Sequence, residues 1–72
     1  MRREVSEQST WQVTGMTCGH CAASVSEEIR EIPGVEDVAV TVETGAVVVT
    51  SAGPLDRAAV DAAVAEAGYT LV

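Results

Sequence analysis

Phenylalanine and lysine are absent from this chain of 72 residues, and its only aromatics are Trp11 and Tyr69. A core built without large rings must be thin and assembled from small side chains, here mainly valine and alanine. Every cation is an arginine, and the 4 arginines face 11 Asp and Glu residues for a net charge of −7. Nucleic-acid binding needs a basic face, which this composition cannot supply. An anionic membrane surface repels such a chain, and no stretch approaches the roughly 20 apolar residues of a membrane span, so direct membrane insertion is not expected. Met1-Arg2-Arg3 resembles the charged start of a secretion signal, but Glu4 to Gln12 holds no apolar segment to follow it. The expected compartment is the cytoplasm, where thiols stay reduced.

Cysteine occurs only at Cys18 and Cys21, and histidine only at His20. Two cysteines cannot build a disulfide framework. One closely spaced pair in a reducing compartment points to a metal or redox site. Structural zinc normally takes four protein ligands, so a closed zinc site from one copy of this chain is not expected.

In chain order, residues 1–9 are polar without a period and read as a flexible amino-terminal arm, ahead of one domain over 10–72. Thr10 to Gly15 alternates like a strand, with Trp11 and Val13 on one face. A helix is predicted from Gly19 or His20, where Ala22, Val25, Ile29 and Ile32 recur at three- and four-residue steps. Pro33-Gly34 stops it. Val35 to Val42 and Ala46 to Thr50 read as strands joined by the short turn Glu43-Thr44-Gly45. Pro54 suits the first turn of a second helix, Leu55 to Ala67, with Gly68 as its cap. Tyr69 to Val72 reads as a last short strand. The order βαββαβ predicts an α+β, ferredoxin-like fold: a four-stranded antiparallel sheet with two helices on one face.

The chemistry gathers in Gly15-Met16-Thr17-Cys18-Gly19-His20-Cys21. Cys18 falls in the loop and Cys21 in the first helical turn. Helix amino termini carry unpaired N–H groups and partial positive charge, a field that favours thiolate and lowers the pKa of a cysteine. Two thiolates on a flexible loop suit a soft cation. Cu(I) fits best, since sulfur ligands select it and two of them satisfy it.

That heptad, together with Pro33-Gly34-Val35 after the first helix and Ala67-Gly68-Tyr69 after the second, resembles the heavy-metal-associated domains over residues 10–72. The family comprises small copper chaperones, amino-terminal domains of metal-transporting P-type ATPases, and mercury-binding relatives. The resemblance is greatest to bacterial copper chaperones. It implies Cu(I) held by Cys18 and Cys21 and handed by thiolate exchange to a copper-transporting P-type ATPase or its metal-binding domain. Such a protein is a carrier and not an enzyme. Ag(I) is a second candidate cargo, with Zn(II) and Hg(II) further behind. Met16 is implied as a packing anchor beneath the loop, with ligation through its sulfur the alternative. His20 either adds a third ligand or faces solvent. Thr17 stands where relatives specialised for divalent ions often carry an acid. Tyr69, as in the family's bacterial chaperones, is implied to shield the site with its hydroxyl near the thiolates; packing as an ordinary strand residue is the alternative. A monomer is expected, and a metal-bridged dimer is possible through exposed thiolates.

Two other readings stand beside the chaperone. One is a metal-binding domain of a copper-transporting ATPase. The other, from a different class, is a thiol–disulfide oxidoreductase, because Cys-Gly-His-Cys also serves disulfide isomerases. Those place Trp before the first cysteine, where this chain has Thr17, and use a longer thioredoxin fold. Several chaperones of the family dock through lysines, and their absence here leaves the polarity of docking open.

Overall fold

The computed structural model describes residues 6–17 and 19–72. The elements run β1 (Glu7–Thr14), α1 (Gly19–Arg30), β2 (Val35–Thr41), β3 (Ala46–Ser51), α2 (Arg57–Glu66) and β4 (Thr70–Leu71). They form one four-stranded sheet in the order β2-β3-β1-β4 with every neighbouring pair antiparallel. This is the expected ferredoxin-like arrangement.

The alternation along each strand decides which face is covered. Val13, Val38, Val47, Val49 and Leu71 are buried on one side and pack with Val25 and Ile29 of α1 and Val60, Ala63 and Val64 of α2 in a single core cluster. Both helices therefore lie on one face. The opposite face is solvated and carries Gln8, Thr10, Gln12, Thr14, Ala39 and Thr41, all exposed, as an antiparallel sheet permits. Trp11 packs against the cluster while half-buried, and its indole N–H donates to Ser9 Oγ at 2.8 Å.

Most element ends differ from the sequence expectation by a residue or more, and four differences have a clear physical cause. β1 begins at Glu7, so Glu7, Gln8 and Ser9, read above as arm, instead pair with Ser51, Thr50 and Val49; residues 1–5 of that arm lie outside the described residues. Gln8 faces solvent, and Glu7 and Ser9, on the covered side, lie where the core has thinned and remain exposed and half-buried, respectively. α1 ends at Arg30, two residues before Ile32. Pro33 disfavours helical geometry in the residue before it, and the chain tightens through Glu31 N–H to Glu28 O and Ile32 N–H to Ile29 O. α2 begins at Arg57, which leaves Pro54 outside its first turn. Asp56 takes the cap: its backbone is extended and its carboxylate accepts from Ala58 N–H at 3.1 Å. At the other end of α2, Gly68 N–H bonds Ala65 O and Tyr69 N–H bonds Val64 O. This paired closure of the helix holds Tyr69 out of β4, which shrinks to Thr70–Leu71.

The β2–β3 turn, residues 42–45, reaches β1 directly. Gly45 N–H bonds Thr41 O at 2.8 Å, and Gly45 O accepts from Val13 N–H at 2.9 Å. Gly45 has φ +76°, and any Cβ there would overlap the Val13 carbonyl oxygen. Glycine is what lets the turn sit this close. On its other side β1 is held by Val72 N–H to Gln12 O at 2.8 Å. The end of β1 is thus clamped from both flanks just before the chain leaves the sheet.

Candidate metal centre

Past that clamp the chain runs Gly15, Met16, Thr17 and into α1 at Gly19. Gly15 adopts φ +97° beside the Tyr69 ring; a Cβ there would stand 3.2 Å from Tyr69 Cδ1. The turn after α2 is therefore in contact with the start of the loop. Tyr69 itself is half-buried and packs on the core cluster. Met16 is 8% exposed and belongs to that cluster, so its side chain is packed into the core and not presented at the surface of the loop.

Cys18 lies outside the described residues. Cys21 is the third residue of α1, half-buried, and touches the core from the edge of the cluster. Thr17 Oγ1 stands 3.9 Å from Cys21 Sγ, so the hydroxyl spans the loop to reach the sulfur at hydrogen-bonding range for that larger atom. His20 is exposed, as are Thr17 and Gly19. The first turn of α1 contains no acidic residue, which leaves its positive end uncompensated by a local carboxylate. Cys21 sits in the first turn, where that field is strongest and would favour an anionic sulfur. A soft cation arriving there would meet the Cys21 sulfur near the surface with an apolar floor beneath it.

Among the described residues, no group of three or more His, Cys, Asp or Glu side chains gathers to hold a metal, and none of the helices is long and apolar enough to cross a membrane. Residues 14–26 contain no charged side chain other than His20 when protonated. Carboxylates begin beyond that stretch, at Glu27 on α1 and at Glu43 in the 42–45 turn.

Two contacts escape a reading of the sequence. One is the hydroxyl of Thr17 on Cys21 sulfur. The residues are four apart, but the loop between them carries no regular period from which to infer it. The other is the grip of the 42–45 turn on Val13, which only the glycine at position 45 hints at.

A family model described as heavy-metal-associated domain matches residues 10–70. Copper-transporting ATPase 2 of Rhizobium meliloti is 43% identical over 61 residues, covering 83% of this chain and 7% of that protein. The zinc/cadmium/lead-transporting P-type ATPase of Escherichia coli is 39% identical over 62 residues, covering 86% of this chain and 8% of that protein. The chain thus spans under a tenth of the length of these relatives. A solved structure of a CopZ metallochaperone superposes with a TM-score of 0.83 at 31% identity, covering 92% of this chain and 100% of that one.

Proposed function

Since the chain belongs to the heavy-metal-associated domain family, we propose that it binds Cu(I) through Cys18 and Cys21 and passes it to a partner metal-binding domain by exchange of thiolate ligands. The observation that carries this reading is the placement of Cys21. Its sulfur lies in the first turn of α1, in the helix field, beside exposed residues and within reach of the Thr17 hydroxyl. A soft, low-coordinate ion suits two thiolates, and an accessible site suits a carrier that must give its cargo up.

Transfer needs no acid, base or change of oxidation state. A thiolate of the partner attacks the bound Cu(I), giving a three-coordinate intermediate. One sulfur of this chain then departs, and the second follows as the partner's other ligand closes. Cu(I) stays Cu(I) throughout, and each sulfur that leaves is replaced by one that arrives. The uncharged stretch 14–26 gives the partner a surface it can approach without desolvating carboxylates, with the acidic residues at the rim. Met16 fills the floor of the loop, Tyr69 closes one side, and His20 faces outward. A copper-transporting P-type ATPase, or its metal-binding domain, is the partner this reading calls for, in a cytoplasm that keeps both thiols reduced.

The test is a competition titration of the reduced protein with a chromophoric Cu(I) chelator, alongside the Cys18→Ser/Cys21→Ser variant. One tightly bound Cu(I) per chain, lost in the variant, is expected. Retained tight binding without the two sulfurs would refute the assignment. The likeness to the zinc/cadmium/lead-transporting ATPase favours one second reading, a carrier of divalent ions. Competition between Zn(II) and Cu(I) for the same chain separates the two.

A further inference from the structure

The sheet has two edges, and they are finished differently. β4 is only two residues long and offers little to pair with. β2 spans Val35–Thr41 and is the longer open edge. The direction of its backbone groups follows from one bond. Val13 N–H to Gly45 O marks those residues as a hydrogen-bonded pair. Hydrogen-bonded and non-bonded pairs alternate along an antiparallel ladder, so Val47 opposite Trp11 and Val49 opposite Ser9 also turn their N–H and C=O toward β1. The residues facing them on β2 are Val40 and Val38. Their N–H and C=O groups therefore point away from β3, into the open edge.

Arg30, the last residue of α1, reaches that edge. Its Nε donates to Ser26 Oγ at 3.2 Å one turn back along the helix, and its guanidinium donates to Asp37 Oδ1 at 3.2 Å and to Val38 O at 3.4 Å. The second of these acceptors is an outward-facing carbonyl. Nearby, the register slips between Val35 and Asp37, and Glu36 is engaged by Ser6 Oγ at 2.8 Å. A bulge, two carboxylates and a covering side chain are the means by which sheets keep their edges from pairing.

We propose that Arg30 is a latch on the β2 edge, and that it keeps the chain from adding a second copy of itself strand to strand. The occupant follows from the register. Antiparallel pairing of two β2 strands about Ala39 sets Val38 of one copy opposite Val40 of the other. The small side chains of the two Ala39 residues meet on the axis, and Asp37 falls opposite Thr41, so no like charges face each other. Each of the two valine pairs exchanges both of its N–H···O bonds. Val38 O is needed in both pairs, and Arg30 occupies it in both copies. The latch therefore costs the dimer one bond in each pair. The joint is short, so that loss is enough to hold the chain monomeric.

The experiment is sedimentation equilibrium of the metal-free, reduced protein in about 1 M salt, where charge repulsion reaches only ~3 Å. Arg30→Ala should self-associate about tenfold or more tightly than the unaltered chain, the equivalent of regaining two ordinary hydrogen bonds. Ser26→Ala, which only loosens the latch, should shift association the same way by less. Adding Val40→Pro to Arg30→Ala removes an edge donor without touching the β2–β3 ladder and should restore the monomer. The near-ultraviolet circular dichroism of Trp11 reports that each variant is folded. A folded Arg30→Ala no more associated than the unaltered chain overturns the proposal. So does an Arg30→Ala dimer that survives Val40→Pro, since it would join elsewhere. A strong dimer of the unaltered chain that Val40→Pro dissolves would equally show that the latch does not hold.

Discussion

Replacing Gly45 by alanine perturbs the point where the 42–45 turn meets β1. Gly45 holds φ +76°, its Cα lies against the Val13 backbone, and a Cβ would also come 2.7 Å from Gln12 Nε2. Forcing an L-residue into left-handed backbone costs about 1–2 kcal/mol. The amide end of Gln12 can swing away, at the loss of its bond to Thr44 O. The Val13 carbonyl cannot, because Val13 is buried and its N–H is bonded to Gly45 O. Relieving the overlap means breaking that bond, worth about 1 kcal/mol. The sum is about 2–4 kcal/mol. Gly34 supplies the comparison: its φ is +93°, but a Cβ there meets nothing within 4 Å. Gly34→Ala carries the conformational cost alone, partly offset by about 0.4–1 kcal/mol from a less flexible unfolded chain. Urea unfolding followed by Trp11 fluorescence separates the two. The handedness cost and this offset apply at both positions, so with a slope of about 1 kcal/mol per molar urea for a domain this small the Gly45→Ala midpoint should fall about 1–2 M further than that of Gly34→Ala. Equal shifts at the two positions would refute the claim that close approach to Val13, rather than backbone handedness, fixes glycine at position 45.

Two further substitutions probe the scaffold. Asp56→Ala removes the carboxylate on Ala58 N–H and should cost about 1 kcal/mol, lowering the melting temperature by roughly 4–8 °C, whereas Asp56→Asn should stay near the unaltered value. Ile29→Ala empties a fully buried position and should cost about 2–5 kcal/mol, against about 0.5–1.5 for Ile29→Val; a cost below that of the valine variant would mean that the two helices close over the gap.

The elements were legible in the sequence because their periods differ and their stops are chemically marked. The stripe Val25, Ile29 and the pair Val60, Val64 announce helices, and the alternation about Val38 and Val47 announces strands. The ends were less legible. Thr10 looked like a beginning because Glu7 to Ser9 lack apolar residues, yet a strand whose outer face meets water, and whose inner face thins toward the edge of the core, does not need them. Pro54 looked like a first turn until Asp56, with a side chain able to bond two residues ahead, took the cap. At the loop, Cys21 falls at the start of a helix, where spacing suggested, and Met16, which the resemblance implied as a packing anchor, is buried. The hydroxyl of Thr17 on the sulfur and the ring of Tyr69 on Gly15 join parts of the chain that local pattern does not connect. Such contacts depend on how the turns fold over one another.

Among the described residues, seven of the eleven buried apolar core residues are valine. A branched β-carbon leaves each of them one rotatable bond, with few alternative settings of it, so the interior has little rotamer freedom to surrender on folding. The same stiffness makes this interior a poor conductor of news. A core with so few alternative settings offers a change at the loop few other packings to push it into. A change at the loop is then felt chiefly by the side chains that touch it and only weakly at the far end of the sheet.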